Sequence, residues 1–367
     1  MKSRTRVMAV IVAALMLFAV APAAQSAIAP AAQSAIAPVQ QGGINATFPD
    51  ITVFHAASSV FVYADEGTTE PAVDEPAPQP DSPKIVKVKA PAGAKGVFAM
   101  DADTGKTLSS KSADKARPVA STSKLMTIYL VHKMIADGDG AWKDKVKITD
   151  KQIDRMSKLS PYGGTIRLKK GKTFTVKELY TLTLVESHNA AAIQLGRWVS
   201  GSDKKFVKLM NKTAQLLGMK KSSFVNACGL NNRDFYEDLK IPYIGKRSAT
   251  NMMSPKDAAK LARALVTEYP AVMKTTKRAK TKVRGKTIRS TNKILRDKNL
   301  KEQAAGLNIV GLKTGYIRRS GSCFIGTCKR KGRDRIVTVI LNDPDRFEHT
   351  ITLMKEIYEK NPLKTVN

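Results

Sequence analysis

The chain has 367 residues, is 43% hydrophobic, and carries a formal net charge of +31. That is enough apolar material for one large core or two small domains. Its three cysteines cannot all pair within one chain. Neither they nor the four histidines show zinc-ligand spacing, an HExxH helix or a GxSxG elbow, which argues against a zinc site and against a Ser-His-Asp mechanism.

At the N-terminus Lys2, Arg4 and Arg6 precede an uncharged apolar run from Val7 to Val20, followed by Ala21-Pro22-Ala23. This is the layout of a secretory signal peptide, and the run is short for a membrane span. Residues 1–27 are therefore expected to be a signal, and the bulk of the chain to be exported to the cell wall, cell surface or periplasm. A membrane attachment would come only from an uncleaved N-terminal anchor. The octapeptide PAAQSAIA of residues 22–29 recurs at 30–37, and residues 65–83 are acidic and Pro-rich. Residues 28–84 read as a low-complexity leader and extended linker. Residues 85–367, the expected folded domain, hold 58 Lys+Arg against 24 Asp+Glu, a net charge of +34. Such a field draws polyanions. For an exported protein these are anionic cell-wall polymers and lipid head groups rather than nucleic acid, and the ordinary reading of such a field is solubilising surface charge.

Residues 95–109 alternate around Val97, Phe98 and Met100 and turn at Asp103-Thr104-Gly105, predicting a β-hairpin. A helix is expected from Ser121 to near Gly138, apolar nearly all round and so buried. Short strands are expected around 146–148 and 165–168. Thr175-Val176-Lys177-Glu178 is a capping box that starts a helix, and a second helical pattern begins at Ala190. Helices follow at 203–218 and 255–268, the latter with Ser254 as N-cap and Pro255 at its first position. Residues 272–289 suggest strand plus loop. Strands at 322–328 and 335–341 and an amphipathic helix near 347–359 complete the pattern. Cys323 and Cys328 share one strand too far apart to bridge, so buried free thiols are expected. The pattern predicts an α/β (α+β) domain: a mainly antiparallel sheet, built from both ends of this region, covered by helices.

Three short motifs carry candidate chemistry. Ser121-Thr122-Ser123-Lys124 puts a serine and a lysine on one face of a first helical turn, beside unpaired backbone N–H groups. Ser187-His188-Asn189 sits at the junction of two apolar helices. Lys313-Thr314-Gly315 on a strand offers fixed charge, a hydroxyl donor and a close backbone approach for a ligand. Each alone has an ordinary reading. Ser-x-x-Lys also begins at Ser112, Ser202 and Ser290, and Ser-x-Asn recurs at Ser290; helix starts and local turns account for such copies.

The order of the three motifs is what selects Ser121. Pro118–Thr127, Leu184–Ala191 and Gly311–Tyr316 resemble the low-molecular-mass penicillin-binding proteins, the serine D-alanyl-D-alanine carboxypeptidases of the penicilloyl serine transferase superfamily. Weaker echoes are Phe224-Val225-Asn226 with Gly229-Leu230, Tyr269-Pro270, and Thr291–Leu295. The family often has Gly-Asn-Asp where this chain has His188-Asn189-Ala190. The resemblance implies a β-lactamase/transpeptidase-like fold with a helical subdomain and no cofactor. It implies a peptidoglycan stem peptide as substrate and β-lactam antibiotics as inhibitors. Ser121 would be the nucleophile, Lys124 its base once burial and Lys313 lower its pKa, and Ser187 a proton relay. Asn189 would hold the substrate amide. Lys313 and Thr314, with Gly315 beside them, would take the terminal carboxylate. The N–H groups of Ser121 and Tyr316 would form the oxyanion hole, and Arg346 a second carboxylate contact. A β-lactamase shares the motifs, but no Glu-x-x-Leu-Asn stretch of the class A kind is present. A DD-endopeptidase on the same fold, or a basic cell-wall-binding protein without activity, would carry the same pattern.

Overall fold

The computed structural model describes residues 85–361 apart from Tyr243; the expected signal, leader and linker lie outside the described residues. Five strands form the main sheet: β1 (Gly96–Asp101), β2 (Thr107–Lys111), β9 (Leu312–Ile317), β10 (Gly321–Cys328) and β11 (Ile336–Leu341). Their order is β2-β1-β11-β10-β9, and every pairing is antiparallel. Strands from both ends of the domain thus meet in one sheet, as the hairpin pattern predicts.

The central strands are apolar on both faces because both faces are covered. Successive side chains point oppositely. On one face Val97, Phe324, Ile336 and Ile340 meet Phe347, Ile351 and Ile357 of a C-terminal helix, Arg346–Lys360. On the other, Phe98, Ile325, Val337 and Val339 join the larger core with helices α1 (Lys124–Ala136) and Pro255–Glu268. α1 buries every residue from Lys124 to His132, so its first turn is held rigidly by packing on all sides.

Beside the sheet stand α2 (Lys151–Lys158), α3 (Val176–Val185), α4 (Asn189–Ser200) and α5 (Asp203–Leu216). The capping box that starts α3 is closed both ways. Glu178 N donates to Thr175 Oγ1 at 3.0 Å, and Thr175 N to Glu178 Oε2 at 2.7 Å. Ser254 Oγ accepts from Asp257 N with Pro255 in the first turn. The other Ser-x-x-Lys copies serve local structure: Ser202 caps α5 by accepting from Lys205 N, and Lys115 N closes a turn on Ser112 O. All three cysteines are buried and free.

Three expectations change. Ser121 does not lie in the α-helix but in a 3-10 turn, Ala120–Ser123, ahead of it. A short antiparallel pairing of β3 (Arg117–Pro118) with β6 (Met252–Met253) leads into this turn. Thr122 Oγ1 and Ser123 Oγ bond back to the carbonyls of Val119 and Ala120 at 2.7 and 2.8 Å, which tightens the chain. Residues 165–168 form no strand. β4 (Lys145–Lys147) pairs instead with β5 (Thr173–Thr175), and the 165–168 backbone is satisfied by side chains: Ile166 O by His188, Leu168 N by Ser157 Oγ. Residues 272–289 hold a short helix, Val272–Thr276, and a hairpin of β7 (Lys280–Val283) and β8 (Lys286–Arg289).

Candidate active site

The 3-10 turn packs against the edge strand β9. Gly315 permits this: a Cβ there would lie 2.7 Å from Val119 O. The glycine of the Lys-Thr-Gly motif therefore admits the backbone of the Ser121 turn. On the turn's other side Gly229 (φ +85) comes so close that a Cβ would meet Ala120 O at 2.1 Å. Ala120 itself has φ 48. A Gly229→Ala substitution is expected to displace the turn carrying Ser121, because both the backbone conformation and the space are wrong for a side chain. We expect turnover to fall at least about tenfold with a lowered melting temperature, checked by steady-state kinetics and calorimetry on the same preparation.

Lys124 Nζ is buried and meets three oxygens: Ser121 Oγ at 2.7 Å, Asn189 Oδ1 at 2.8 Å and the Cys228 carbonyl at 2.5 Å. The two carbonyl oxygens only accept. A neutral amine has two N–H donors and one lone pair, so with both donors committed the lone pair is left for the Ser121 hydroxyl, whose other acceptor, the Cys228 carbonyl, is farther away at 3.5 Å. Burial pushes the Lys124 ammonium down to about 8 from 10.5. Two asparagines aim the Cys228 carbonyl. Asn226 Oδ1 accepts from Cys228 N and Gly229 N at 3.1 and 2.6 Å. Asn251 Nδ2 donates to Asn226 O and to Ser123 Oγ, each at 2.8 Å, tying this loop to the turn that carries Ser121.

Ser187 sits between α3 and α4 with φ 64. Its Oγ accepts from Lys313 Nζ at 2.8 Å. Lys313 also donates to Thr314 O at 3.0 Å. It is almost wholly buried, and burial first, then the charge of Lys124, hold its ammonium well below the usual range. Two buried cations repel, so each proton disfavours the other. Thr314 Oγ1 lies 2.6 Å from Thr291 Oγ1.

His188 is a strut. Its Nε2 lies 2.9 Å from Ile166 O, which can only accept, so that nitrogen carries the proton; Nδ1 accepts from Ala191 N and caps α4. Burial lowers its pKa to about 4, in keeping with a neutral ring. Asn189 gives Oδ1 to Lys124 and donates Nδ2 to Tyr162 O at 2.9 Å. Both ends of this side chain already have protein partners, so it positions Lys124 before it touches any ligand.

Ser121, Ser187, Asn189, Thr314, Gly315 and Tyr316 line one cleft of ≈ 550 Å³, and Arg346 stands on its wall. Tyr316 is exposed. The Arg346 guanidinium lies 4.5 Å from the Phe347 ring centroid and its Nε has no partner. Among the described residues no group of three or more His, Cys, Asp or Glu could hold a metal ion. Sequence reasoning missed the Cys228 carbonyl, Asn226, Asn251, Tyr162 and Thr291. The only signals were the faint Phe224-Val225-Asn226…Gly229-Leu230 and Thr291–Leu295 echoes.

A family model described as D-alanyl-D-alanine carboxypeptidase matches residues 84–345. The chain is 29% identical over 276 residues to the D-alanyl-D-alanine carboxypeptidase DacF of Bacillus subtilis, covering 74% of this chain and 64% of that one. It therefore spans slightly less than two thirds of that relative's length. It resembles a crystal structure of a peptidoglycan synthesis regulatory factor (PBP3) from Streptococcus pneumoniae, with TM-score 0.66, 33% identity, and 73% and 72% of the two chains covered. It also resembles penicillin-binding protein D2 from Listeria monocytogenes in its ampicillin-bound form, with TM-score 0.59, 29% identity, and 72% and 97% covered.

Proposed function

Because the chain belongs to the D-alanyl-D-alanine carboxypeptidase family, we propose that it is a penicillin-sensitive serine carboxypeptidase that removes the terminal D-alanine from peptidoglycan stem peptides. The observation that carries this is the fencing of the Lys124 amine by two oxygens that only accept, which leaves Ser121 Oγ as the group its lone pair meets. The signal-like N-terminus and the proposed wall substrate both support a site of action outside the cytoplasm. Among the described residues no helix is long and apolar enough to cross a membrane.

In the proposed reaction Ser121 Oγ attacks the carbonyl between the last two D-alanines while its proton passes to Lys124 Nζ. The tetrahedral oxyanion is held by the N–H groups of Ser121 and Tyr316, each worth about 3 kcal/mol. The C–N bond breaks as a proton reaches the leaving amine through Ser187, which Lys313 orients. Water then releases the acyl group. Lys313, Thr314 and Arg346 receive the terminal carboxylate. That contact supplies a negative charge beside Lys313, favours its protonated form, and so drives the proton off Lys124.

Mass spectrometry of a stem pentapeptide incubated with the purified chain should show loss of a single terminal D-alanine. Cleavage confined to cross-linked dimers would make the protein an endopeptidase instead. Fast nitrocefin turnover without D-alanine release would make it a β-lactamase, and no turnover of any of these would leave only a binding protein.

A further inference from the structure

A second surface, apart from the cleft, gathers uncompensated charge. Residues 274–301 contain twelve Lys or Arg and one acid, Asp297. Their centre is the β7–β8 hairpin. Its register sets Lys280 directly opposite Arg289, and Lys282 lies two residues along on the same face. All three are exposed, and none has a carboxylate partner among the described residues. Like charges directly across a ladder destabilise it, so this face of the hairpin carries a cost.

A second cationic hairpin abuts the first. Arg284, in the β7–β8 turn, donates to the Thr173 carbonyl of β5, pairs with Glu178 and stacks on Phe174. This seats the turn on the β4–β5 hairpin, whose Lys145, Lys147 and neighbouring Lys172 are exposed and without carboxylate partners among the described residues. The nearby acids are engaged: Glu178 by Arg284, and Asp144 by the N–H of Ala141. Crowding is also felt at Lys177 on α3, whose ammonium is held below its usual range by burial and then by Arg278.

We infer that the joined β4–β5 and β7–β8 hairpins are a docking surface for a linear phosphodiester polymer, which holds the enzyme against the wall while the cleft works. A polymer fits better than a lipid surface. The exposed large apolar side chains among the described residues are Val86, Leu216, Tyr236 and Tyr316, and none belongs to either hairpin, whereas interfacial membrane binding buries apolar groups beside its cations. The choice of a wall polymer rests on the proposed extracytoplasmic function; the surface does not.

The test measures binding of fluorescently labelled poly(glycerol phosphate) by anisotropy across a salt series. Wild type should bind, and binding should weaken steeply with salt, as counterion release requires. The triple variant Lys280→Gln, Lys282→Gln, Arg289→Gln should lose at least about tenfold in affinity, and its log–log salt slope should shrink by about 2. Its melting temperature should not fall, because the Lys280–Arg289 repulsion is gone. The control Lys204→Gln, Lys208→Gln, Lys212→Gln removes equal charge from the exposed face of α5 and should change affinity less than about twofold. Equal loss in both variants would reduce the effect to net charge and overturn the inference. So would no binding by wild type, or tighter binding to phosphatidylglycerol vesicles than to the polymer. D-alanine release from a soluble pentapeptide is read separately: polymer binding without turnover would sink the enzymatic reading and leave this surface standing.

Discussion

A Ser121→Ala chain is expected to take up no labelled penicillin, and Lys124→Met to acylate about 10²–10⁴-fold more slowly, the range for loss of a positioned general base. For Lys124→Met the fold should survive, for reasons that can be weighed. Holding the Lys124 pKa at about 8 instead of 10.5 means that burying its charge costs about 3 kcal/mol at neutral pH. The methionine removes that cost. It leaves Asn189 Oδ1 without a donor, at about 1–3 kcal/mol, and the Cys228 carbonyl with only the long contact from Ser121 Oγ at 3.5 Å. The terms oppose one another, so the variant should melt within several degrees of wild type, checked by calorimetry. The sign of the pH effect follows from the same shift. The unfolded lysine binds its proton up to about 10.5 and the folded one only to about 8, so this residue makes stability rise with pH across that window. Activity needs the neutral amine. The acylation rate constant kcat/KM should therefore climb tenfold per pH unit below about 8 and level off above it. A flat wild-type profile, or an unchanged one in Lys124→Met, would remove Lys124 from the base role.

Why the motifs were readable and their surroundings were not has a physical basis. The roles proposed for Ser121, Lys124, Ser187 and Lys313 rest on side chains, and only a few residue types can be a hydroxyl nucleophile or a buried amine. The structure brings these four together with Asn189 and Thr314. The partner that fixes the Lys124 lone pair is a backbone carbonyl, at Cys228, and a carbonyl is carried by every residue type. What aims it is a pair of asparagines, Asn226 and Asn251, 25 residues apart; no local pattern connects them. Gly315 shows a subtler limit. Its type correctly signals a close approach, but the sequence does not say that the approaching group is the chain's own Val119 carbonyl. The same holds at 165–168, where apolar alternation suggests a strand. The side chains of His188 and Ser157 take the backbone bonds that a neighbouring strand would have made. The β1–β2 and β9–β10–β11 units were legible because short turns join their apolar strands, whereas the pairing of β1 with β11 brings together the two ends of the domain. The second Ser-x-Asn copy resolves as a local turn: Asn292 N donates to Ser290 Oγ, and Asn292 Oδ1 accepts from Ile294 N.

Lys313→Met is expected to lower kcat/KM for an acyl-D-Ala-D-Ala substrate by about 10–100-fold, the worth of a hydrogen bond to a charged group. The more informative comparison replaces the substrate's terminal carboxylate by a carboxamide. Wild type should lose a similar factor on the amide. The variant should hardly distinguish acid from amide, because the charge it would have met is gone. Such non-additivity is the signature of a direct pair. The two buried amines predict a further effect. Binding a carboxylate at Lys313 stabilises its proton, and that proton repels one on Lys124. The pKa seen in kcat should then lie below the value of about 8 expected in kcat/KM, and the gap should close for the amide substrate. Ser187 provides the internal control, since its Oγ is held by the same Lys313 Nζ. A Ser187→Ala chain should lose turnover yet keep its preference for acid over amide. If Lys313→Met retains full discrimination between acid and amide, the carboxylate binds elsewhere in the cleft, with Arg346 on its wall the next cation to test, and the proton coupling argued from Lys313 to Lys124 falls with it.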